Sequence, residues 1–153
     1  MARISGSVGT TRGFSNAVNS WVKKAQDKRQ EAYHEGLKDF RDTLLANTPI
    51  DTGNLRASLQ TSNAGEIMAG PYKEYGSAYN VASSNAVIDA AGDGDRVSFV
   101  YRAPYARRLE YGFTGIDSLG RSYNSAGRYW IKSTSAKFVS IMRAAATRVR
   151  NKS

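Results

Sequence analysis

An α+β fold, with a long N-terminal helix, a small antiparallel sheet and a C-terminal helix packed on that sheet, is what this sequence predicts. Three observations carry it. Apolar residues recur at helical spacing from Phe14 to Leu44. A run rich in β-branched and aromatic residues, Arg96-Val97-Ser98-Phe99-Val100-Tyr101, lies in the middle, and helical spacing returns from Tyr129 to Arg150. The order helix, strands, helix favours an antiparallel sheet with helices against it. At 153 residues the chain has one core. The expected organisation is a flexible arm over 1–13, a single domain over 14–150 with long loops at 62–96 and 113–127, and a tail at 151–153.

The first thirteen residues, with Gly6, Gly9 and Gly13, cannot bury enough apolar area to order themselves and read as an arm that orders on a partner. Phe14, Val18, Trp21, Ala25, Ala32, Tyr33, Leu37, Phe40 and Leu44 then share one face of a helix from about Ser15 to Asn47. Its other face carries Lys23, Lys24, Asp27, Lys28, Glu31, Glu35 and Lys38, with opposite charges three or four apart. Such a helix reaches on the order of 50 Å, more than a domain of this size covers. Either Gly36 breaks it or its first half projects onto another subunit.

Pro49 stops the helix by restricting the residue before it. Asp51-Thr52-Gly53-Asn54 offers side-chain oxygens to a turn, and Leu55, Ala57, Ser58 and Leu59 lead into a first strand through Thr61. In the Gly-, Ala-, Ser- and Asn-rich stretch that follows, Tyr72, Tyr75, Tyr79, Val81, Val87 and Ile88 supply one or two strands or lie in a long loop. Asp93-Gly94 suits a hairpin turn with antiparallel strands on either side. Glycines at 115, 120 and 127 mark a polar loop. The last helix, Tyr129 to Arg150, turns Ile131, Phe138, Ile141, Met142, Ala145 and Val149 inward.

Composition removes whole classes of function. There is no cysteine, so disulfides, thiol nucleophiles and thiolate metal sites are excluded. No apolar run approaches a membrane span, and residues 1–6 lack the apolar core of a secretory signal, so the expectation is a protein that stays in the compartment where it is made. His34 is the only histidine and stands alone on the long helix, which leaves neither a hydrolase triad nor an i, i+4 metal pair. Asp89, Asp93 and Asp95 lack the later glutamate of a calcium loop, and turns favour Asp-Gly without a metal. The expectation is no enzyme, no cofactor and no metal.

Charge does point somewhere. The formal balance is +9, and residues 118–153 hold eight basic and no acidic side chains, against fourteen basic and thirteen acidic before them. Arg143, Arg148, Arg150 and Lys152 are the candidate contacts to DNA or to an acidic partner; a solvated or subunit-facing helix surface is the other reading. Without a zinc finger or an RNA-reading pattern, any nucleic-acid contact is indifferent to sequence and sensitive to salt.

Two motifs carry a resemblance. Thr48-Pro49-Ile50-Asp51-Thr52-Gly53-Asn54-Leu55-Arg56-Ala57-Ser58-Leu59, after a long helix, resembles the signature of a phage head-tail joining, or tail-completion, family of minor tail components. Ala103-Pro104-Tyr105-Ala106-Arg107-Arg108-Leu109-Glu110-Tyr111-Gly112 resembles that family's second signature. Within them Pro49, Asp51, Thr52, Gly53, Leu55, Arg56, Tyr105, Glu110, Tyr111 and Gly112 are the candidate motif and subunit-contact residues, with Asp51 the expected partner of Arg56. They either build this domain's own turns or touch a neighbouring subunit. The resemblance implies a virion protein assembled in the host cytoplasm. It further implies a ring of six copies at the neck between portal and tail tube, with DNA passing through its lumen and other neck and tail proteins as partners. The rival reading is a basic, sequence-independent nucleic-acid-binding protein with its C-terminal helix as the contact, and a tail-terminator or other minor tail position is the alternative within the same class.

Overall fold

The computed structural model describes residues 7–50, 53–63, 76, 78–92 and 94–152, with side chains from residue 11 onward. Helix α1 spans Ser7–Asn47 and, at 41 residues, is about 60 Å long. It starts eight residues before the expected Ser15, inside the segment expected to be an arm. Gly36 does not break it. A side chain there would run into the Met142 thioether, so this glycine marks where the C-terminal helix crosses closest.

After Pro49 the chain makes a single helical turn, α2 (Asn54–Ala57), where an extended lead-in was expected. It is entered through Gly53 at φ +86°, a left-handed conformation that suits glycine. Strand β1 (Leu59–Asn63) then pairs antiparallel with β2 (Val97–Tyr101), Leu59 opposite Tyr101 and Asn63 opposite Val97. The partner of β2 is thus β1, not a strand across Asp93-Gly94. What precedes that turn is a helix, α3 (Val81–Ala90), where one or two strands or a loop were expected. Asn80 caps it by accepting from the Ser83 amide at 3.0 Å. Asp93, Tyr72 and Tyr75 lie outside the described residues.

Helix α4 (Ala106–Tyr111) runs straight into β3 (Gly112–Ile116), which pairs antiparallel with β4 (Ser122–Ala126). The segment 113–127, expected as a loop, is therefore a hairpin. Its turn is tied by Asp117, whose carboxylate accepts from the Leu119 and Arg121 amides at 2.9 Å each, and its strands are bridged by the Phe113 and Tyr123 rings. The exposed, glycine-containing strands hide the period-2 signal that a half-buried strand would show.

The last helix is two. α5 (Trp130–Ser135) and α6 (Phe138–Asn151) are separated by a turn at Ala136-Lys137. The break lets each half find its own surface. Trp130 stacks edge-on against Tyr101 of the sheet, while Ala145 and Val149 of α6 are buried and Met142 lies over Gly36 of α1. Leu44, Leu55, Ala103, Ala106 and Trp130 form the core, flanked by Phe40, Phe99, Tyr101, Leu109 and Ile131. This is the α+β class expected, but among the described residues two separate two-stranded sheets stand in place of one, and the long last helix, α6, packs antiparallel to the second half of α1 and not on a sheet; it is the short α5 that meets β2, through Trp130 and Tyr101.

Candidate functional site

The two sequence motifs meet in space. Leu55 of the first and Ala103 and Ala106 of the second share the core cluster, and Asn54 Nδ2 donates to the Tyr105 hydroxyl at 3.0 Å. Thr48, at the end of α1, is buried; its hydroxyl donates to Leu44 O at 2.6 Å and shares a 2.6 Å hydrogen bond with Tyr101. Burial pushes the Tyr101 hydroxyl's pKa up, keeping it neutral. The end of α1 is thereby fastened to β2. Arg56 is half-buried and its Nε has no hydrogen-bond partner among the described residues; Asp51, its expected partner, and Thr52 lie outside them.

Glu110 explains the second motif. It is buried, and its two carboxylate oxygens accept from the Ile131 and Lys132 amides at 2.9 Å each, so it caps the free amides at the start of α5. Its backbone carbonyl accepts from the Tyr129 amide at 3.1 Å, and Leu109 O accepts from Arg128 N at 2.7 Å. Gly112 sits at φ +85°, ψ 168°, a region open essentially to glycine alone, and a Cβ there would come within 2.6 Å of Ser125 O. Glu110 and Gly112 therefore build the join between α4, the hairpin and α5. Tyr111 between them points away from that join and is 65% exposed.

Sequence reasoning missed Arg41. It occupies the apolar stripe Leu37, Arg41, Leu44, Thr48, is only 3% exposed, and donates to Ser84 Oγ at 3.1 Å and Asn85 Oδ1 at 2.5 Å, pinning α3 to α1. A charged residue on a core-facing stripe is the signal that would have found it. His34, alone on the long helix, is half-buried and donates from Nε2 to Ala91 O at 2.7 Å, so it holds the loop after α3. Asp89 pairs with Lys38 and the Asp95 carboxylate accepts from Gly92 N; no cluster of His, Asp or Glu among the described residues is placed to hold a metal.

The basic C-terminus divides in two. Arg148 bonds Asp39 and reaches Glu35, and Lys152 bonds Glu31 at 2.7 Å and Glu35 at 2.6 Å. Acids spaced by four on α1 thus face bases spaced by four on α6, and the hydrogen bond from Lys152 holds the Glu35 carboxyl below its usual pKa. For these two residues an acidic partner already exists, in α1. Arg143 and Arg150 lie on the solvent face of α6, with no ion pair among the described residues.

At its other end α1 is bare. Residues 11–27 are exposed without exception, about 25 Å of helix beyond the point where Lys28 Nζ meets the Lys152 carbonyl at the end of α6. On that stem Phe14 is 70% and Trp21 78% exposed, with Val18 and Val22 in the same stripe. The hairpin is a second projection, carrying Ile116 and Leu119 in the open.

These features define a class: a structural domain whose motif residues lock one scaffold and whose stem and hairpin leave large apolar side chains exposed. A family model described as "Bacteriophage HK97-gp10, putative tail-component" matches residues 12–112, about two-thirds of the chain, and the chain belongs to that family. It is a structural component of a phage tail, and not an enzyme. The match runs from the stem to Gly112, the last residue of the second motif. No curated protein and no solved structure matches the chain significantly.

Proposed function

We propose that the chain is a tail-completion or head-tail joining subunit, one of six copies in a closed ring at the phage neck, with DNA passing through the lumen. The observation that carries this reading is the stem: a helix with Phe14, Val18, Trp21 and Val22 exposed that no part of its own chain among the described residues covers. A lone soluble domain gains nothing from such surface, whereas ring subunits bury it heterologously in a neighbour. Blocking expression of this chain during phage growth and imaging the lysate by electron microscopy tests it. DNA-filled heads and unjoined tails are expected. Normal joined particles would overturn the neck position, and tails of wrong length would move the chain to a tail-terminator role.

One observation favours a second activity on the same subunit. Arg143 and Arg150 stand one above the other on the outer face of α6, seven residues apart, among Ala144, Ala146 and Thr147, which let a phosphate backbone approach closely. A sequence-independent DNA contact at that face accords with a lumen-lining position.

A further inference from the structure

We infer that the stem of one copy docks its Trp21 stripe into an apolar groove of the next copy, between α1, β2 and the α5–α6 turn. This deepens the ring reading and rests on it. The groove is open, has a volume of about 440 Å³, and is lined by Leu37, Phe40, Val97, Phe99 and Phe138 together with Arg96. Phe40 meets Phe99 and Phe138 at 5.9 and 5.4 Å between ring centroids, so the wall is a preformed aromatic cluster, yet Phe138 remains 38% exposed. The volume is within the range of pockets that take a ligand larger than an indole. Arg96, an exposed residue of the lining, offers a guanidinium to the face of an inserted ring.

The occupant follows from what the same chain leaves uncovered. Trp21 and Phe14 are its two most exposed aromatics on one helix face. They cannot reach the groove in cis, because Trp21 and Leu37 are sixteen residues apart on one unbroken helix, about 24 Å. A second copy can bring them there. A protrusion and a hollow at different places on one subunit make a head-to-tail contact, and repeating it at a fixed offset is how a ring is generated. The stem offers on the order of 400 Å² of apolar surface, about half of what one partner contributes to a standard interface. The polar flanks of the stem supply the remainder, and closure holds each subunit from two sides.

The absence of cysteine in the chain makes the test clean. Phage carrying the chain with Ala25→Cys on the stem and Ser135→Cys on the groove rim are treated, as intact particles, with a short flexible bis-maleimide, and linked peptides are identified by mass spectrometry. The expected result is a 25-to-135 link between copies and a ladder of multimers. Adding Trp21→Ala should cut that link at least about tenfold while circular dichroism shows the purified chain still folded. Particles with Ala25→Cys alone, or with Ala25→Cys and Leu119→Cys, serve as controls. Stem-to-stem links, stem-to-hairpin links, or links from residue 25 to a different virion protein would each overturn the inference. So would joined particles that contain the chain but give no 25-to-135 link, a result that leaves the ring reading standing. Particles that lack the chain and still join would overturn both.

Discussion

Removing the Glu110 carboxylate, itself buried, leaves the partly buried Ile131 and Lys132 amides without acceptors at the start of α5. Unsatisfied buried groups cost about 1–3 kcal/mol, so Glu110→Ala should lower unfolding free energy by about 2 kcal/mol or more, read from denaturant midpoints. Glu110→Gln keeps one acceptor oxygen and should lose less. Gly112 allows a sharper comparison. At Gly112 a side chain meets both a forbidden backbone region and the Ser125 carbonyl, whereas at Gly120, φ +78°, it meets open space. Gly112→Ala should therefore cost well over about 2 kcal/mol, and Gly120→Ala about 1 kcal/mol. Equal losses in the two thermal melts would show that strand proximity plays no part. In this chain the second motif is, at this scale, a cap and a corner.

Between elements, the seam of α1 and α6 combines a close crossing with a charge ladder. A methyl group at Gly36 displaces only the flexible Met142 thioether, and the helix propensity gained is about 1 kcal/mol, so Gly36→Ala should be nearly neutral. Gly36→Leu overpacks the crossing and should cost about 1–3 kcal/mol in chemical denaturation. The ladder makes its own prediction. Lys152 holds Glu35 ionised below the usual carboxylate range, so the folded state binds this proton less readily than the unfolded chain. Its contribution is present above roughly pH 4 and is lost as pH falls through the depressed folded value. The difference in denaturant midpoint between pH 7 and pH 3 should be smaller in Glu35→Gln than in the parent chain, and the two should converge in about 1 M salt, because these side chains remain partly in water. A mutant with an unchanged pH dependence would exclude the ladder as a stabilising contact.

For the whole molecule, the division of the basic C-terminus sets which charges are free to act outward. Arg148→Gln with Lys152→Gln should weaken the α1–α6 seam and hardly change DNA retention. Arg143→Gln with Arg150→Gln should leave the melting temperature within error and lower both retention on DNA and its salt slope, by about one unit for each phosphate no longer neutralised. The reverse pattern would place the DNA contact at the end of α6. The stem stands apart from all of these: about two-fifths of α1, residues 11–27, is exposed and adds nothing to its own domain's core, a distribution of apolar surface that the proposed ring contact accounts for.

Local signals in the chain determined the identities of the strongest elements and where the first helix stops, though not where it starts. Period-3.6 spacing marks α1, Pro49 its stop, the β-branched run β2, and the two motifs the family; each depends on residues close in sequence, where propensity and sterics act directly. Asn80 before Val81, a capping signal, made α3 legible in principle, but its Ala- and Ser-rich face hid the period. Other features were decided only by the packed structure. Gly36 in a helical pattern reads equally as a break or a crossing until Met142 lies over it, and Glu110 has no visible role until the amides of α5 arrive twenty-one residues later. Arg148 and Lys152 look like outward charge until α6 lies antiparallel to the Glu31, Glu35 and Asp39 row. The physical reason is the same in each case: burial, charge pairing and close approach are properties of pairs of surfaces, and one strand of sequence specifies a surface without naming the surface that covers it.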